Sequence, residues 1–286
     1  MSTSSCEHSL DVICAGSLQS LVVEDLLPRF ERLTGYRCES RAGGSREWAR
    51  RLRQQEVNTD IFLSADASVN EVELMRPGEE VAEWYLAFAT NELVLAYSDA
   101  SPAYEEMRSA AQEEQGWLRL LRPGRRLGRP DPDADPKGYR TLFVLQLAER
   151  RLGLRCLVDD IMGCPRNPEQ LFSPAELTPM LKRGELDLVF SYRSQAEEAG
   201  LPFVTLPAEI NLGSPELAAE YATARYECAD GTIYRGSPIA YTAAVLTNAR
   251  HPAAAAAFLV FLASDEAAVV IAQHKFRPTR AMVRPR

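Results

Sequence analysis

Histidine is scarce in this chain: three in 286 residues, at His8, His251 and His274. They lie far apart. None of the six cysteines (Cys6, Cys14, Cys38, Cys156, Cys164 and Cys228) stands in a C-x-x-C pair. Zinc-ligand spacing is therefore missing, and no cofactor is read from the sequence. A Ser-His-Asp triad needs a well-placed histidine, and His8 and His274 read as surface residues. Asp60 and Asp66 bracket a strand-like run without the spacing of a glycosidase pair. The patterns G-x-x-x-x-G-K-[ST], G-x-G-x-x-G and G-x-S-x-G are all missing, which removes the phosphate-loop, dinucleotide and α/β-hydrolase signatures. No enzyme signature remains.

Positive charge is also short. The net charge is -8 and the pI is near 5.2, so no nucleic-acid partner is expected. No apolar run approaches the ~20 residues of a membrane span. The opening MSTSSCEHSL has neither a basic n-region nor an apolar h-region, so it does not read as a signal peptide. Two alternatives stay open: an intracellular protein, or one whose export signal was replaced by a new Met1. An acidic chain still binds a small anion when local donors aim at it, because backbone N–H groups and helix ends carry no net charge.

What is present is a globular composition, 46% hydrophobic and 25% charged, long enough for one large domain or two lobes. LDVICAG (10–16) is an apolar run ending in small residues, a buried strand. Residues 17–35 carry Leu18, Leu21, Val22, Leu26 and Phe30 at helical spacing, and Gly35 suits the stop. A second strand (36–44), a helix with Ser45 at its N-cap and a third strand (59–66) follow. This β-α-β-α-β order predicts a parallel sheet in an α/β protein. Further along, 92–101 reads as a strand, 104–121 as helical, 138–153 as an amphipathic helix, 172–200 as helix-strand-helix and 237–249 as a strand. A pair of apolar helices spans 251–276. Ser173, Pro174 and Glu176 read as an N-cap, a first-turn proline and a capping box. Punctuation at 98–102 and 230–238 divides the chain into a lobe of 1–97 plus 238–286 and a lobe of 98–237. Cys14 and Cys38 read as buried thiols; Cys156 and Cys164 either bridge a short loop or stay free.

Four places share one geometry, a strand ending in small residues before a helix that starts at Ser or Asp. They are Gly16-Ser17, Gly44-Ser45, Asp135-Pro136-Lys137-Gly138 and Ser173-Pro174. The first N–H groups of a helix lack internal partners. At the carboxyl edge of a parallel sheet such starts face one crevice, where several together make an anion site. Plain capping explains any one of them. The third is the most unusual, because DPDADPKGYR (131–140) holds more acid than a cap needs.

With these residues in view, the chain resembles the solute-binding component of molybdate/tungstate ABC importers, in the tungstate-preferring branch common in archaea. The matching stretches run in order: CAGSL (14–18), AGGS (42–45), DIFLSADAS (60–68), WYLAFATNELVLAYSD (84–99), DADPKGYR (133–140) and GELDLVFSYRSQAEEAGLPFVTLPAEINLGSPE (184–216). They cover most of the chain from Val12 to about Pro278. The resemblance implies a two-lobed α/β fold of the periplasmic-binding-protein type II kind, with the oxyanion in the interlobe cleft and no catalysis. It implies anion contacts from Gly16, Ser17, Ser45, Asp135, Pro136, Lys137 and Tyr192. In that branch an Asp and a Glu carboxylate also approach the metal centre and raise its coordination. Asp135 takes the first role, and Glu176 is the candidate for the second. Asp131 and Asp133 are expected to be solvated, and Glu209 structural.

Two positions depart from the family. Lys137 stands where cysteine is usual, and either pairs with Asp135 or touches the anion. Glu176 lies two residues beyond the family's position at Pro174, and either reaches the ligand or only closes the capping box. The implied partners are the molybdate or tungstate ligand and an ABC permease membrane subunit. The implied location is extracytoplasmic, periplasmic or surface-anchored, and the implied state is a monomer. Three alternatives remain: an intracellular sensor or storage module on the same fold, a binder of another oxyanion such as sulfate, and an enzyme using Asp135 and Lys137 as an acid/base pair.

Overall fold

The computed structural model describes residues 9–113 and 115–285. Cys6, His8 and the leader, read above from the sequence, lie outside them. The chain divides into two units: one runs through Thr90 and resumes at Ile239, and the other is Asn91–Pro238.

In the first unit β1 (Ser9–Ala15) pairs in parallel with β2 (Arg37–Gly43) and with β3 (Ile61–Ser64). Val12, Ile13 and Cys14 are wholly buried, the near-continuous apolar run expected of a parallel strand covered on both faces. Between β1 and β2 the chain is helical but uneven. It opens as a 3-10 turn at Gly16–Leu18, widens to i→i+5 bonding over Leu21–Leu26, and becomes an α-helix at Leu27–Thr34. Pro28, which has no N–H to continue the regular ladder, accounts for the widened turn just before it. Gly35 ends the helix at φ 78, as its position predicts. After β3 comes β4 (Trp84–Thr90), the last strand before the chain enters the second unit.

That second unit begins with β5 (Leu93–Tyr97), followed by β6 (Leu127–Gly128), β7 (Leu188–Tyr192), β8 (Phe203–Thr205) and the hairpin strands β9 (Arg225–Glu227) and β10 (Ile233–Arg235). Four of them form a sheet in the order β6-β7-β5-β8, with β6 and β7 parallel and β5 antiparallel to both neighbours. The unit boundary therefore falls at Thr90–Asn91 rather than after residue 97, because Leu93–Tyr97 hydrogen-bonds to β7 and β8. The helical stretch at 104–121 is two pieces, Tyr104–Ala110 and Gly116–Leu120. Gln115 turns left-handed, and a Cβ on Gly116 would sit 2.0 Å from the Ala110 carbonyl oxygen, so only glycine permits this return. Val94, Ala96, Leu177, Leu181, Leu186, Val189, Ala196 and Leu201 form one core of this unit.

The chain then re-enters the first unit through β11 (Ala240–Val245) and β12 (Arg277–Pro285), completing a mixed sheet of order β12-β4-β11-β3-β1-β2. Helices Pro252–Leu262 and Asp265–Gln273 lie between them, bent by 70°. Phe30 packs edge-on against Phe258 at 5.2 Å and joins this pair to the helix before β2. Burying each such ring is worth about 1.5–3 kcal/mol. Among the described residues, no single helix is long and apolar enough to cross a membrane.

Candidate functional site

The register of the first sheet collects three of its turns. Ala15 pairs with Gly43 and Cys14 with Leu63, so Gly16-Ser17, Gly44-Ser45 and Ala65 leave the sheet side by side at its carboxyl edge. The β2 turn is tight, since a Cβ on Gly43 would come 2.5 Å from Trp48 Nε1. Gly44, not Ser45, is the N-cap of helix Ser45–Arg53; Ser45 is its first residue. The reason is visible in its hydroxyl, which accepts from Ala65 N at 3.1 Å and so ties two turns together instead of capping. Ser45 is buried, and its own O–H remains available to donate.

Ser17 Oγ is buried and finds no hydrogen-bond partner among the described residues. A hydroxyl left this way costs about 1–3 kcal/mol, so it marks a place where a partner is expected. Arg46, next to Ser45 in sequence, is no free charge: it pairs with buried Glu73 at 3.3 Å. What these turns offer is hydroxyls and backbone N–H groups.

The second unit offers charge. Strand β6 leads into 131–135, and Asp135 caps the 17-residue helix Pro136–Leu152, its Oδ1 accepting from Lys137 N at 2.8 Å. Pro136 occupies the first turn, where its missing N–H costs nothing. Gly138 is required: a Cβ there would lie 2.7 Å from both Pro130 O and Pro132 N. Asp135 is buried, and burial raises its pKa against the opposing charge of Lys137.

Lys137 is 5% exposed, so it lies inside the protein rather than at a rim. Its Nζ donates to Gln195 Oε1 at 3.2 Å and sits 5.8 Å from the Tyr192 ring centre. Burial lowers its pKa, with the Asp135 charge opposing. Arg140, one turn further along, is buried and donates to Tyr192 Oη at 2.7 Å. Tyr192 ends β7 and is buried. Arg140 and Gln195 were not singled out from the sequence. Arg140 lies within the DADPKGYR motif at i+3 from Lys137, and Gln195 lies at i+3 from Tyr192.

The other aspartates of this turn have structural duties. Asp131 is exposed and its Oδ1 accepts from Asp133 N. Asp133 is not simply solvated: it accepts from Arg166 Nε (2.7 Å), Tyr226 Oη (2.9 Å) and Ala229 N (3.2 Å), which fastens the turn to the β9–β10 hairpin. Glu209 is likewise structural, in an ion pair with Arg151.

Glu176 lies in the first turn of helix Pro174–Lys182 and is exposed. The capping box does not form, since Ser173 caps through its backbone position alone, with no side-chain bond. Leu177 and Leu181 bury the opposite face in the core cluster, which leaves Ser173 and Glu176 facing solvent. Among the described residues, no contact joins Glu176 to Asp135, Lys137 or Tyr192. The described residues also hold no group of three or more His, Cys, Asp or Glu fit to take up a metal ion.

The described histidines are internal bolts. His274 is buried, with Nε2 2.8 Å from Asp25 and Nδ1 3.1 Å from Ser20, so it is not the surface residue expected. His251 Nδ1 meets Asp60 at 2.9 Å and its Nε2 meets Ser9 at 3.0 Å. Burial alone would raise the Asp60 pKa, but bonds from Asp11 N and His251 hold it low. Cys156 and Cys164 are free and exposed. Cys14 is buried and free, its pKa pushed up to about 12; Cys38 is half-buried, its pKa likewise raised to about 12.

Residues 10–277 match the family model described as bacterial extracellular solute-binding protein. A Haloferax volcanii protein assigned as an ABC-transporter molybdenum-binding protein is 35% identical over 240 residues, covering 84% of this chain and 73% of that one. The molybdate/tungstate-binding protein of Thermococcus kodakarensis is 30% identical over 290 residues, covering 92% and 80%. The periplasmic molybdate-binding protein of Azotobacter vinelandii superposes with a TM-score of 0.65 at 20% identity, over 93% of this chain and 98% of that one. The two mixed sheets are thus those of the α/β periplasmic-binding-protein fold. This family binds solutes and does not catalyse, which removes the acid/base reading of Asp135 and Lys137. The chain belongs to the bacterial extracellular solute-binding protein family.

Proposed function

We propose that this protein binds molybdate or tungstate outside the cytoplasm and delivers it, as a monomer, to the membrane permease of an ABC transporter. The observation that carries the reading is Ser17 Oγ, a buried donor at the first turn with no partner among the described residues. To it the proposal adds Gly16, Ser45, Asp135, Pro136, Lys137 and Tyr192 as expected contacts of the ligand. The names of the two relatives above support the choice of anion.

Asp135 gives the choice a physical basis. A carboxylate beside a dianion is repelled. It becomes favourable when its oxygen bonds a high-valent centre that accepts further oxygen ligands. Molybdenum and tungsten do this, and the sulfur of sulfate does not. Asp135 then discriminates against an anion of the same charge and shape. Glu176, turned to solvent, favours coordination by Asp135 alone over the paired carboxylates of the tungstate-preferring branch. Titration calorimetry with tungstate, molybdate, sulfate and phosphate on anion-stripped protein tests the function. Tight binding of the first two with sulfate silent is expected. Equal binding of sulfate and molybdate makes this a plain helix-end anion cradle, and no binding of any removes the transport reading.

A further inference from the structure

Lys137 is an odd residue to bury. An ammonium has three donors and no acceptor, and taking it out of water is costly unless an anion accompanies it. Here its one hydrogen-bond partner among the described residues is the neutral Gln195 Oε1, and no carboxylate lies within ion-pairing distance. The nearest acid, Asp135, acts on it through space while its Oδ1 is engaged with Lys137 N. The surroundings add to the strain. The N-terminus of a helix is the positive end of its dipole, and Lys137 stands in that first turn. Arg140 places a second buried cation on the same helix, one turn along. Lys137 is thus a buried ammonium at a helix N-terminus with no ion pair of its own among the described residues. The rest of the chain is acidic at -8 and holds only two other lysines, Lys182 and Lys275, both exposed.

We infer that Lys137 is the charge-reading residue of this site, its ammonium neutralising the second negative charge of a tetrahedral dianion and so setting dianion over monoanion preference. The inference rests on the oxyanion-binding reading and deepens it. Shape cannot supply such a preference, because tungstate and perrhenate share a tetrahedral MO4 frame of similar size and differ by one charge. The neutral turns at Ser17 and Ser45 cannot supply it either, since hydroxyl and N–H donors serve both ions.

The test is titration calorimetry of the full chain with tungstate and with perrhenate, on the parent, Lys137→Met, Lys137→Gln and Lys137→Arg. The parent is expected to prefer tungstate strongly. In Lys137→Met tungstate affinity should fall about 30-fold and perrhenate, with half the charge, about 5-fold, so the tungstate-to-perrhenate ratio falls about 5-fold. Lys137→Gln keeps a polar group for Gln195 and stands in for Lys137→Met if that variant folds poorly; the same collapse is expected. Lys137→Arg keeps the charge and should hold the parental ratio within about 3-fold. A parental ratio in both neutral variants overturns the inference and leaves oxyanion binding standing. A ratio that collapses equally in Lys137→Arg assigns the effect to packing and also overturns it. A parent that binds no tetrahedral oxyanion overturns both readings together.

Discussion

Asp135 and Lys137 are buried groups of opposite charge whose pKa values burial pushes in opposite directions, the acid up and the amine down. The sign of the resulting pH dependence follows from the lysine. On the proposed function, the amine below its lowered folded value is charged and attracts the anion, and as pH rises through that value the charge and the affinity are expected to be lost. Asp135 and Arg140 are the charged groups facing it from its own turn and helix, with Tyr192 and Gln195 from β7 and the segment after it. Tungstate affinity measured from neutral to alkaline pH should therefore fall more than tenfold, with a midpoint below the ~10.4 of an ordinary lysine. Lys137→Arg should flatten that alkaline limb, and a limb unchanged in the variant rules the lysine out as its source. Asp133, Asp60 and Asp25 work the other way. Their carboxyls are held low by hydrogen bonds and cation partners, so their contribution to stability is present above the unfolded value and lost below about pH 4. At this scale the sequence was informative about Asp135 and Lys137, because their neighbours in the motif are local. It misread His274 as a surface residue and gave no role to His251. Their partners, Asp25 and Asp60, lie 249 and 191 positions away.

At the scale of elements, the turns depend on missing side chains. Gly138→Ala places a Cβ against the backbone of residues 130–132, which cannot move aside as a flexible side-chain tip would. Overpacking of this kind costs about 1–3 kcal/mol. Denaturant unfolding of the ligand-free variant should show that loss, and weaker anion binding should accompany it. A variant as stable as the parent contradicts the close approach. Asp135→Ala removes an N-cap and should cost about 1 kcal/mol by the same method. Strands β1, β3 and β11 were legible from apolar runs, and Gly35 from its place after a periodic segment, whereas β4 and β12 were not read as strands. Three further features were not legible. The widened turn before Pro28 and the break at Gln115–Gly116 depend on single residues inside otherwise helical patterns. The assignment of Leu93–Tyr97 to the second unit depends on pairing with Leu188–Tyr192, which leaves no local trace.

For the whole molecule, the net charge of -8 means that an anion is held by local groups rather than by the overall field. Arg46, Arg126, Arg166 and Arg193 are all engaged with acids, which directs attention to the hydroxyls of the first unit and the Lys137 turn of the second. A ligand bound only by the folded chain stabilises it by about 2.7 kcal/mol at one hundred times its Kd. Thermal unfolding with tungstate should accordingly move upward by several degrees, and sulfate at the same concentration should leave it in place.

The most direct measurement is equilibrium dialysis of tungstate against a large excess of sulfate, with the parent and Asp135→Ala side by side. The account predicts that the parent retains tungstate and that Asp135→Ala releases it to sulfate. A variant that keeps the parent's discrimination would contradict metal coordination by Asp135, and a parent that exchanges tungstate freely for sulfate would contradict the proposed function.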